Sequence, residues 1–201
     1  MRGRAALRIP PGSNLTGVAG RRGGEAGHRT GGFGVAAAAG GAACTVNVDN
    51  KQGHLAVAQN NYHLNALASD SRNFSKVDAL LCLQRIAKST TRYDLLVLDP
   101  PPRFSQKSAW AFEAERDYGR LLAECIPACA RGGKALILAG LNALTVDNEK
   151  FAAFVGEAEQ RSGAVIRVLE QVGAGNDYPH CPHRPTARFA LLEVDHNGPE
   201  A

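Results

Sequence analysis

The stretch YDLLVLDPP, residues 93–101, decides the fold. Its apolar residues run without a break, which is typical of a strand buried on both faces of a parallel sheet. Further apolar runs are separated by amphipathic stretches with helical spacing. This alternation, which ends in two adjacent strands, predicts an open α/β sheet with a mixed C-terminal edge. The predicted strands are 44–49, 73–77, 93–99, 135–139, 165–172 and 188–194, and the predicted helices are 52–66, 78–88, 110–130 and 147–162.

Composition is that of a globular protein. The 201 residues are 44% hydrophobic and 21% charged, and no apolar run reaches the length of a transmembrane helix. The net charge of +4 comes from the first 30 residues, where six arginines face one glutamate, so the remainder is close to neutral. Bulk charge therefore does not by itself indicate a nucleic-acid partner. We predict a disordered Gly/Arg-rich tail over 1–29, one domain over 30–196 and a short tail over 197–201.

Two features suggest a nucleoside cofactor. A glycine cluster, Thr30-Gly31-Gly32-Phe33-Gly34, precedes an alanine-rich helix start and would expose helix N–H groups to a ligand. Asp49 follows about 18 residues later at the end of a strand, where a carboxylate can accept both ribose hydroxyls. NAD and S-adenosylmethionine both fit this pattern. A plain Gly-rich loop and an acid that caps the next helix are the structural alternatives.

The Asp99-Pro100-Pro101 segment narrows the choice between NAD and S-adenosylmethionine as the cofactor. Its prolines fix an extended, rigid backbone at the end of a buried strand. The segment resembles the Asp/Asn-Pro-Pro motif of class I S-adenosylmethionine-dependent methyltransferases, which grips a planar base or amine. Nicotinamide dehydrogenases have no such motif, so NAD becomes the minor option.

Several segments together resemble one family. TGGFGVAAAAGGA, VDNKQGHLAVAQNNYHLNAL, YDLLVLDPPPRFSQKS, AFEAERDYGRLL and GGKALILAGLN are similar to the RlmI/RlmK-like methyltransferases of large-subunit ribosomal RNA. The similarity runs from about residue 30 to 194. It implies a Rossmann-like α/β sheet of the class I methyltransferases, mostly parallel with an antiparallel C-terminal strand. It also implies S-adenosyl-L-methionine as cofactor and an RNA base as acceptor.

The resemblance also implies roles for individual residues. The glycine cluster would surround the methionine part of the cofactor. Asp49 would bind the ribose, and Asp78 would bind the adenine amine. The target base would lie against Asp99. Arg116 and Asp117 would brace the substrate loop, and the alternative is that they form a solvated helix surface. The predicted catalytic residues are Asp99, Pro100, Pro101 and Phe104, and the predicted cofactor-binding residues are Thr30, Gly31, Gly32, Phe33, Gly34, Asp49, Asp78 and Asp99.

The chain departs from this family at two places. The family has an apolar strand directly before the glycine cluster, whereas this chain has Gly-Gly-Glu-Ala-Gly-His-Arg at 23–29. The sequence therefore predicts that the first, central strand is missing and that the chain is truncated before it. The alternative is that residues outside this chain complete the sheet. In addition, Pro102-Arg103 stand where one residue is usual, which puts the position of Phe104, the expected base-stacking ring, in question.

The cysteines bear on the reaction type. Methylation of cytosine C5 needs a thiolate to add to the ring first. Cytosine-modifying relatives carry that cysteine after the strand that corresponds to 135–139, where this chain has Gly140-Leu141-Asn142. We therefore favour direct transfer to a ring or exocyclic nitrogen, with an undefined acceptor as the alternative. Direct transfer requires alignment of the acceptor with the methyl group, and Asp99 and Asn142 could orient the base. The helical cysteines are expected to pack in the core, and Cys181 lies too far along the chain to take the role.

Metal binding is not predicted. His180-Cys181-Pro182-His183 lacks a second ligand pair for tetrahedral zinc and is interpreted as a polar turn, with a histidine contact to substrate as the weaker alternative. Trp110 and Tyr118 are expected to pack in the core rather than to stack on a base.

The leading hypothesis is an enzyme that methylates a base in RNA, with ribosomal RNA as the expected partner. The alternatives are a catalytically impaired, cofactor-binding remnant and a nicotinamide-dependent oxidoreductase. Five scattered cysteines indicate a reducing compartment, and we expect the cytoplasm. A chloroplast or mitochondrion is the alternative if the arginine-rich tail is a transit peptide. No membrane partner is expected, and the oligomeric state is not specified by the sequence.

Overall fold

The computed structural model describes residues 14–18, 30–105, 111–131, 134–141, 146–173 and 188–196. Strands and helices alternate through most of these residues, as the sequence predicts. The strands are β1 (Asn14–Val18), β2 (Cys44–Asp49), β3 (Phe74–Lys76), β4 (Leu95–Leu98), β5 (Arg103–Ser105), β6 (Ala111–Glu113), β7 (Ala135–Leu141), β8 (Val165–Gly173) and β9 (Arg188–Asp195). The helices are α1 (Gly32–Ala39), α2 (Gln52–Leu64), α3 (Ala79–Ala87), α4 (Ala114–Cys125) and α5 (Asn148–Ser162), with 3₁₀ turns at Ser71–Asn73 and Ile126–Ala128.

The main sheet has the order β3-β2-β1-β4-β7-β9-β8 within the described residues. β1, β2, β3, β4 and β7 are parallel, whereas β9 runs antiparallel to β7 and β8 antiparallel to β9. All four residues of β4 are buried, as expected for a strand covered by helices on both faces. The predicted fold class and the antiparallel C-terminal edge are therefore confirmed.

The first strand is present, and the expectation that it is missing is wrong. β1 lies between β2 and β4 and pairs in parallel with both, so that Thr16 is opposite Val46 on one side and Leu96 on the other. The strand lies within 1–29, so the predicted disorder is also wrong for residues 14–18. The error has a physical reason: an isolated NLTGV segment has neither a continuous apolar run nor strict alternation, and its strand conformation depends on two neighbouring strands that supply its hydrogen-bond partners.

A short hairpin follows the buried strand β4. β5 and β6 pair antiparallel, with Phe104 opposite Phe112, and an Arg103–Glu113 ion pair of 2.7 Å joins the two strands. The sequence predicts a loop here, followed by a helix that starts at Trp110. The helix α4 instead begins at Ala114, after the hairpin, and ends at Cys125, where Pro127 contributes to a 3₁₀ turn.

Residues of the helices and strands pack into one large core. It contains buried side chains such as Leu83, Leu96, Tyr118, Leu122 and Ile137. A smaller cluster on the other face of the sheet combines Ala37 with Leu95 and Val97. Because alternate residues of β4 point to opposite faces, this one strand contributes to both clusters.

The role of β1 can be tested with Thr16→Pro. Proline removes a backbone N–H from a strand that is paired on both sides, and we expect a loss of about 3 kcal/mol or more in the free energy of unfolding. Urea denaturation followed by circular dichroism measures the change. Thr16→Val keeps the N–H and serves as the control. Equal stability of the proline variant and the control would contradict the central position of β1.

Candidate functional site

The predicted site segments meet at one edge of the sheet. Asp49 is the last residue of β2, Asp99 directly follows β4, and Asp78 follows β3 by two residues. Since these strands are parallel, their carboxyl ends lie at the same edge. Open α/β sheets bind ligands at this edge, next to the strand from which successive strands are added on both sides of the sheet. That strand is β1, so the site is centred on the strand that the sequence alone did not reveal.

The glycine cluster packs closely against β2 and α2. Gly31 has a φ of +67°, and a Cβ at this position would lie 2.5 Å from Cβ of Ala58. A Cβ at Gly34 would collide with the Asn47 amide oxygen and with the Tyr62 hydroxyl. Gly32 is different, since a Cβ there would meet only the Thr30 hydroxyl, at 3.7 Å. Gly31 and Gly34 thus allow close packing, whereas Gly32 leaves space beside the start of α1.

Asparagine and tyrosine side chains hold this cluster in place. Asn61 of α2 donates a hydrogen bond of 2.9 Å to the Thr30 carbonyl. Beneath the cluster, the buried Tyr62 hydroxyl lies 2.7 Å from the Thr45 hydroxyl and accepts a 3.1 Å hydrogen bond from the Asn47 amide. Asn61 lies in the segment VDNKQGHLAVAQNNYHLNAL that resembles the family, whereas sequence reasoning missed Asn47 and Tyr62 as parts of the site. The signal was available, since Asn47 is a polar residue between Val46 and Val48 in a predicted strand.

Asp49 is 6% exposed and has two partners within the chain. One carboxylate oxygen accepts the Lys51 N–H at 2.8 Å, and the other lies 2.9 Å from Nδ1 of His54. The alternative that Asp49 caps the following helix is not supported by these contacts. The N-cap residue of α2 is Lys51, and Asp49 accepts the N–H of that residue rather than one inside the helix.

Asp78 is the N-cap of α3. Its carboxylate accepts the Leu81 N–H at 3.1 Å, and its backbone is extended. This bond satisfies one N–H at the start of the helix and fixes the side chain at the carboxyl end of β3. The structure brings Asp78 to the same edge as Asp49, while its role toward a ligand stays a prediction.

Asp99 lies against Gly140 of β7. A Cβ at Gly140 would lie 2.8 Å from a carboxylate oxygen of Asp99 and 2.7 Å from the ring of Phe189. Phe189 in turn makes an edge-to-face contact with Phe33, with ring centroids 6.0 Å apart. Gly140 therefore leaves the room that Asp99 and Phe189 occupy, and sequence reasoning missed the contribution of Phe189.

Tyr118 supports this arrangement from inside the core. Its side chain is fully buried and its hydroxyl donates a 2.9 Å hydrogen bond to the Gly140 carbonyl. Burial raises the pKa of the Tyr118 phenol well above its usual value, and the negative charge of Asp99 adds to this effect. The prediction that Tyr118 packs in the core is confirmed.

Pro100 and Pro101 are buried, whereas Pro102 is exposed. The Pro102 carbonyl accepts the Ala114 N–H at 2.8 Å, which ties the proline segment to the start of α4. Phe104 belongs to β5, so the segment with one extra residue continues into a strand. The Phe104 side chain lies outside the part of the chain that the structure describes.

Arg116 and Asp117 brace the hairpin against α4. Asp117 accepts the Glu113 N–H at 2.9 Å and forms a two-point ion pair with Arg116 at 2.7 and 2.8 Å. Hydrogen bonds from Arg116 and from the Glu113 backbone outweigh the effect of burial and lower the pKa of Asp117. These contacts agree with the bracing interpretation for Asp117, while the Arg116 side chain remains mostly exposed.

Three of the described cysteines pack in the core. Cys82, Cys125 and Cys129 are buried, and Cys44 in β2 is partly buried. Burial raises the pKa of Cys125 well above the usual range and that of Cys129 to about 12, so both thiols stay protonated. This confirms the expected core packing of these helical and turn cysteines and gives them no nucleophilic role.

Some predicted features fall outside the described residues. They are Trp110, Asn142 and the His180-Cys181-Pro182-His183 segment. Among the residues that the structure does describe, no group of three or more His, Cys, Asp or Glu side chains could hold a metal ion. No helix in the same residues is long and apolar enough to cross a membrane.

Comparison with known proteins decides the family. A family model described as S-adenosylmethionine-dependent methyltransferase matches residues 13–192, a range that includes β1. The chain belongs to the S-adenosylmethionine-dependent methyltransferase family. The predicted family and the predicted cofactor of that family are confirmed, and the family match begins well before the predicted domain boundary at residue 30.

Curated relatives of this methyltransferase family are named for ribosomal RNA. Ribosomal RNA large subunit methyltransferase I of Aeromonas hydrophila is 32% identical over 150 residues, which cover 75% of this chain and 37% of the relative. Ribosomal RNA large subunit methyltransferase K/L of Shewanella loihica is 31% identical over 155 residues, 77% of this chain and 20% of the relative. The chain thus spans about a third or less of the length of these relatives.

Solved methyltransferase structures share the fold. A protein described as a methyltransferase and crystallised with S-adenosylhomocysteine superposes with a TM-score of 0.76 at 19% identity, covering 92% of this chain and 46% of that one. A ribosomal protein L11 methylase from Lactobacillus delbrueckii superposes with a TM-score of 0.55 at 15% identity, covering 94% and 71%. At this identity the likeness shows the fold alone, and the fold does not choose between RNA and protein acceptors.

The packing at Gly140 can be tested with Gly140→Ala. The new methyl group must displace Asp99 or Phe189, and we expect a loss of about 1–3 kcal/mol in the free energy of unfolding. Gly156→Ala is a matched control, because its Cβ would meet nothing within 4 Å on α5 and should stabilise the protein by about 0.5–1 kcal/mol. Urea titrations measure both changes, and equal effects of the two variants would be inconsistent with close packing at Gly140.

Proposed function

We propose that the chain transfers the methyl group of S-adenosylmethionine to a base in RNA, with large-subunit ribosomal RNA as the acceptor. One observation carries the proposal: Asp99-Pro100-Pro101 follows β4 beside the central strand β1, at the edge where the glycine cluster and two further carboxylates are expected to bind the cofactor. The names of the curated relatives support ribosomal RNA as the acceptor.

The residues at this edge fit the cofactor. Open space at Gly32, beside the start of α1, suits the methionine part, which would lie among Thr30, Gly31, Gly32, Phe33 and Gly34. The helix start offers N–H groups, and the first turn of α1 carries no acidic side chain to compete with a carboxylate. When bound, S-adenosylmethionine supplies an electrophilic methyl group on a sulfonium sulfur.

Two carboxylates suit the adenosine part. The Asp49 oxygens retain acceptor capacity beyond their two internal hydrogen bonds and would accept the ribose hydroxyls. Asp78 would accept a hydrogen bond from the adenine amine with the capacity that its N-cap bond leaves. In both cases the internal bonds hold the carboxylate before the ligand arrives, which lowers the entropic cost of binding.

Asp99, Pro100 and Pro101 would orient the acceptor base. A half-buried carboxylate can accept a hydrogen bond from an amino group of the base, and the buried prolines fix the backbone beside it. Phe104 would stack on the base, as the sequence predicts. Asp99 would also lie close to the bound cofactor, so that one carboxylate faces both partners of the transfer.

Direct transfer to a nitrogen fits the thiols of the described residues. A thiolate route to cytosine C5 would need an accessible cysteine with a lowered pKa, whereas burial keeps Cys125 and Cys129 protonated. Direct transfer would need only an acceptor nitrogen whose lone pair is aligned with the electrophilic methyl group that the cofactor supplies. Asp99 would hold the amino group during this step.

An active enzyme is favoured over a non-catalytic remnant. The remnant hypothesis depended on a missing first strand, and β1 fills that position in the sheet. We propose that the protein works where ribosomes are assembled, in the cytoplasm or in an organelle that has its own ribosomes.

Radioactive methyl transfer tests the proposal. The purified chain is incubated with methyl-labelled S-adenosylmethionine and either bulk RNA or a ribosomal protein fraction. We expect label in the RNA, and a loss of about 100-fold or more in Asp99→Ala because the base is no longer oriented. Asp70→Ala, which removes an exposed acid that precedes β3, is the control and should retain activity. Labelling of protein alone would refute the RNA assignment.

Asn61→Ala tests how the glycine cluster is anchored. Loss of the hydrogen bond to the Thr30 carbonyl should free the cluster and weaken S-adenosylhomocysteine binding by about 10-fold, equivalent to about 1.4 kcal/mol. Isothermal titration calorimetry measures the affinity. Asn60→Ala, an exposed neighbour on the same helix, is the matched control. If both variants bind equally well, Asn61 does not position the cluster.

A further inference from the structure

His54 is the feature of the site that the proposed function does not yet use. It lies in the first turn of α2, with its side chain 16% exposed, and its Nδ1 is 2.9 Å from one oxygen of the Asp49 carboxylate. The other carboxylate oxygen accepts the Lys51 N–H at 2.8 Å. Each oxygen of this buried acid is therefore fixed by a different donor.

The contact determines the state of the histidine ring. An ionised carboxylate can only accept hydrogen bonds, so Nδ1 of His54 must carry a proton. This condition is met by the neutral ring protonated on Nδ1 and by the charged ring alike. Nδ1 of His54 therefore acts as a donor to Asp49.

The number of acceptor positions suits a vicinal diol. A carboxylate offers about four lone-pair positions, two on each oxygen. The Lys51 N–H uses one on the first oxygen and His54 uses one on the second. One position then remains on each oxygen, which matches the two adjacent hydroxyls of a ribose.

We propose that His54 is a positioning residue for the nucleoside part of the site, acting through Asp49. This inference rests on the proposed function, since it takes Asp49 as the acid that binds the ribose. His54 holds the second carboxylate oxygen so that the acid keeps one orientation. Without it, the carboxylate would have one backbone donor and could rotate away from the ligand.

A double-mutant cycle tests this role with S-adenosylhomocysteine as the probe and calorimetry as the measurement. We expect His54→Ala to weaken binding about 10-fold in the wild-type background. In an Asp49→Ala background, the same substitution should cause no further loss, because the group through which His54 acts is gone. A purely structural contribution of His54 to α2 would instead lower affinity equally in both backgrounds, and that result would overturn the proposal.

His54→Asn provides the rescue. The Asn side-chain amide is attached like the Nδ1 half of the imidazole ring, so it can donate to the same oxygen, and affinity should stay within about threefold of wild type. His63→Ala, an exposed histidine on the same helix that contacts Ser69, is the control and should leave affinity unchanged. Failure of the Asn variant to restore binding would also overturn the role.

The cycle separates the two proposals. If the wild-type chain binds S-adenosylhomocysteine and His54→Ala binds equally well, the positioning role is wrong while the proposed function stands. If the wild-type chain does not bind the probe at all, the proposed function fails and the inference fails with it. Thermal unfolding of each variant establishes that the comparison is made between folded proteins.

Discussion

The parallel pairing of β1 with both β2 and β4 is the constraint on which the rest of the structure depends. A central strand satisfies backbone groups of its two neighbours, and without β1 the sheet would divide into β3-β2 and β4-β7-β9-β8. Its position also determines the site. The strand order runs in one direction through β2 and β3 and in the other through β4 and β7, so the carboxyl ends of these strands surround the end of β1.

Close packing converts this edge into a defined site. Glycines appear where another group needs the space: Gly31 against Ala58, Gly34 against Asn47 and Tyr62, and Gly140 against Asp99. Each contact leaves no room for a side chain, and protein interiors accommodate even one extra methyl group at a cost. These three glycines therefore help to position the site, because they let neighbouring groups approach the backbone closely.

The carboxylates of Asp49 and Asp78 are each held by a hydrogen bond from a nearby backbone N–H. Asp49 accepts the Lys51 N–H and Asp78 accepts the Leu81 N–H. A carboxylate held in this way has lost its rotamer freedom before any ligand arrives. The same principle applies to Asp117, which bonds to the Glu113 N–H and holds the hairpin of β5 and β6 against α4.

The sequence by itself determined most of the architecture. Uninterrupted apolar runs such as 95–98 and amphipathic spacing in the helices are local signals of burial, and they predicted the α/β class, the antiparallel C-terminal edge and the strand-end positions of Asp49, Asp78 and Asp99. Tertiary structure decided what has no local signal. β1 is a strand because two neighbours pair with it, and the hairpin forms where a proline-rich loop was expected. Gly140 and Phe189 matter because they meet at Asp99, far away in the chain. His54 matters because its ring reaches the carboxylate of Asp49, five residues earlier. Periodicity reports how much of a segment is buried, whereas hydrogen-bond partners and close contacts across the sheet depend on which segments become neighbours.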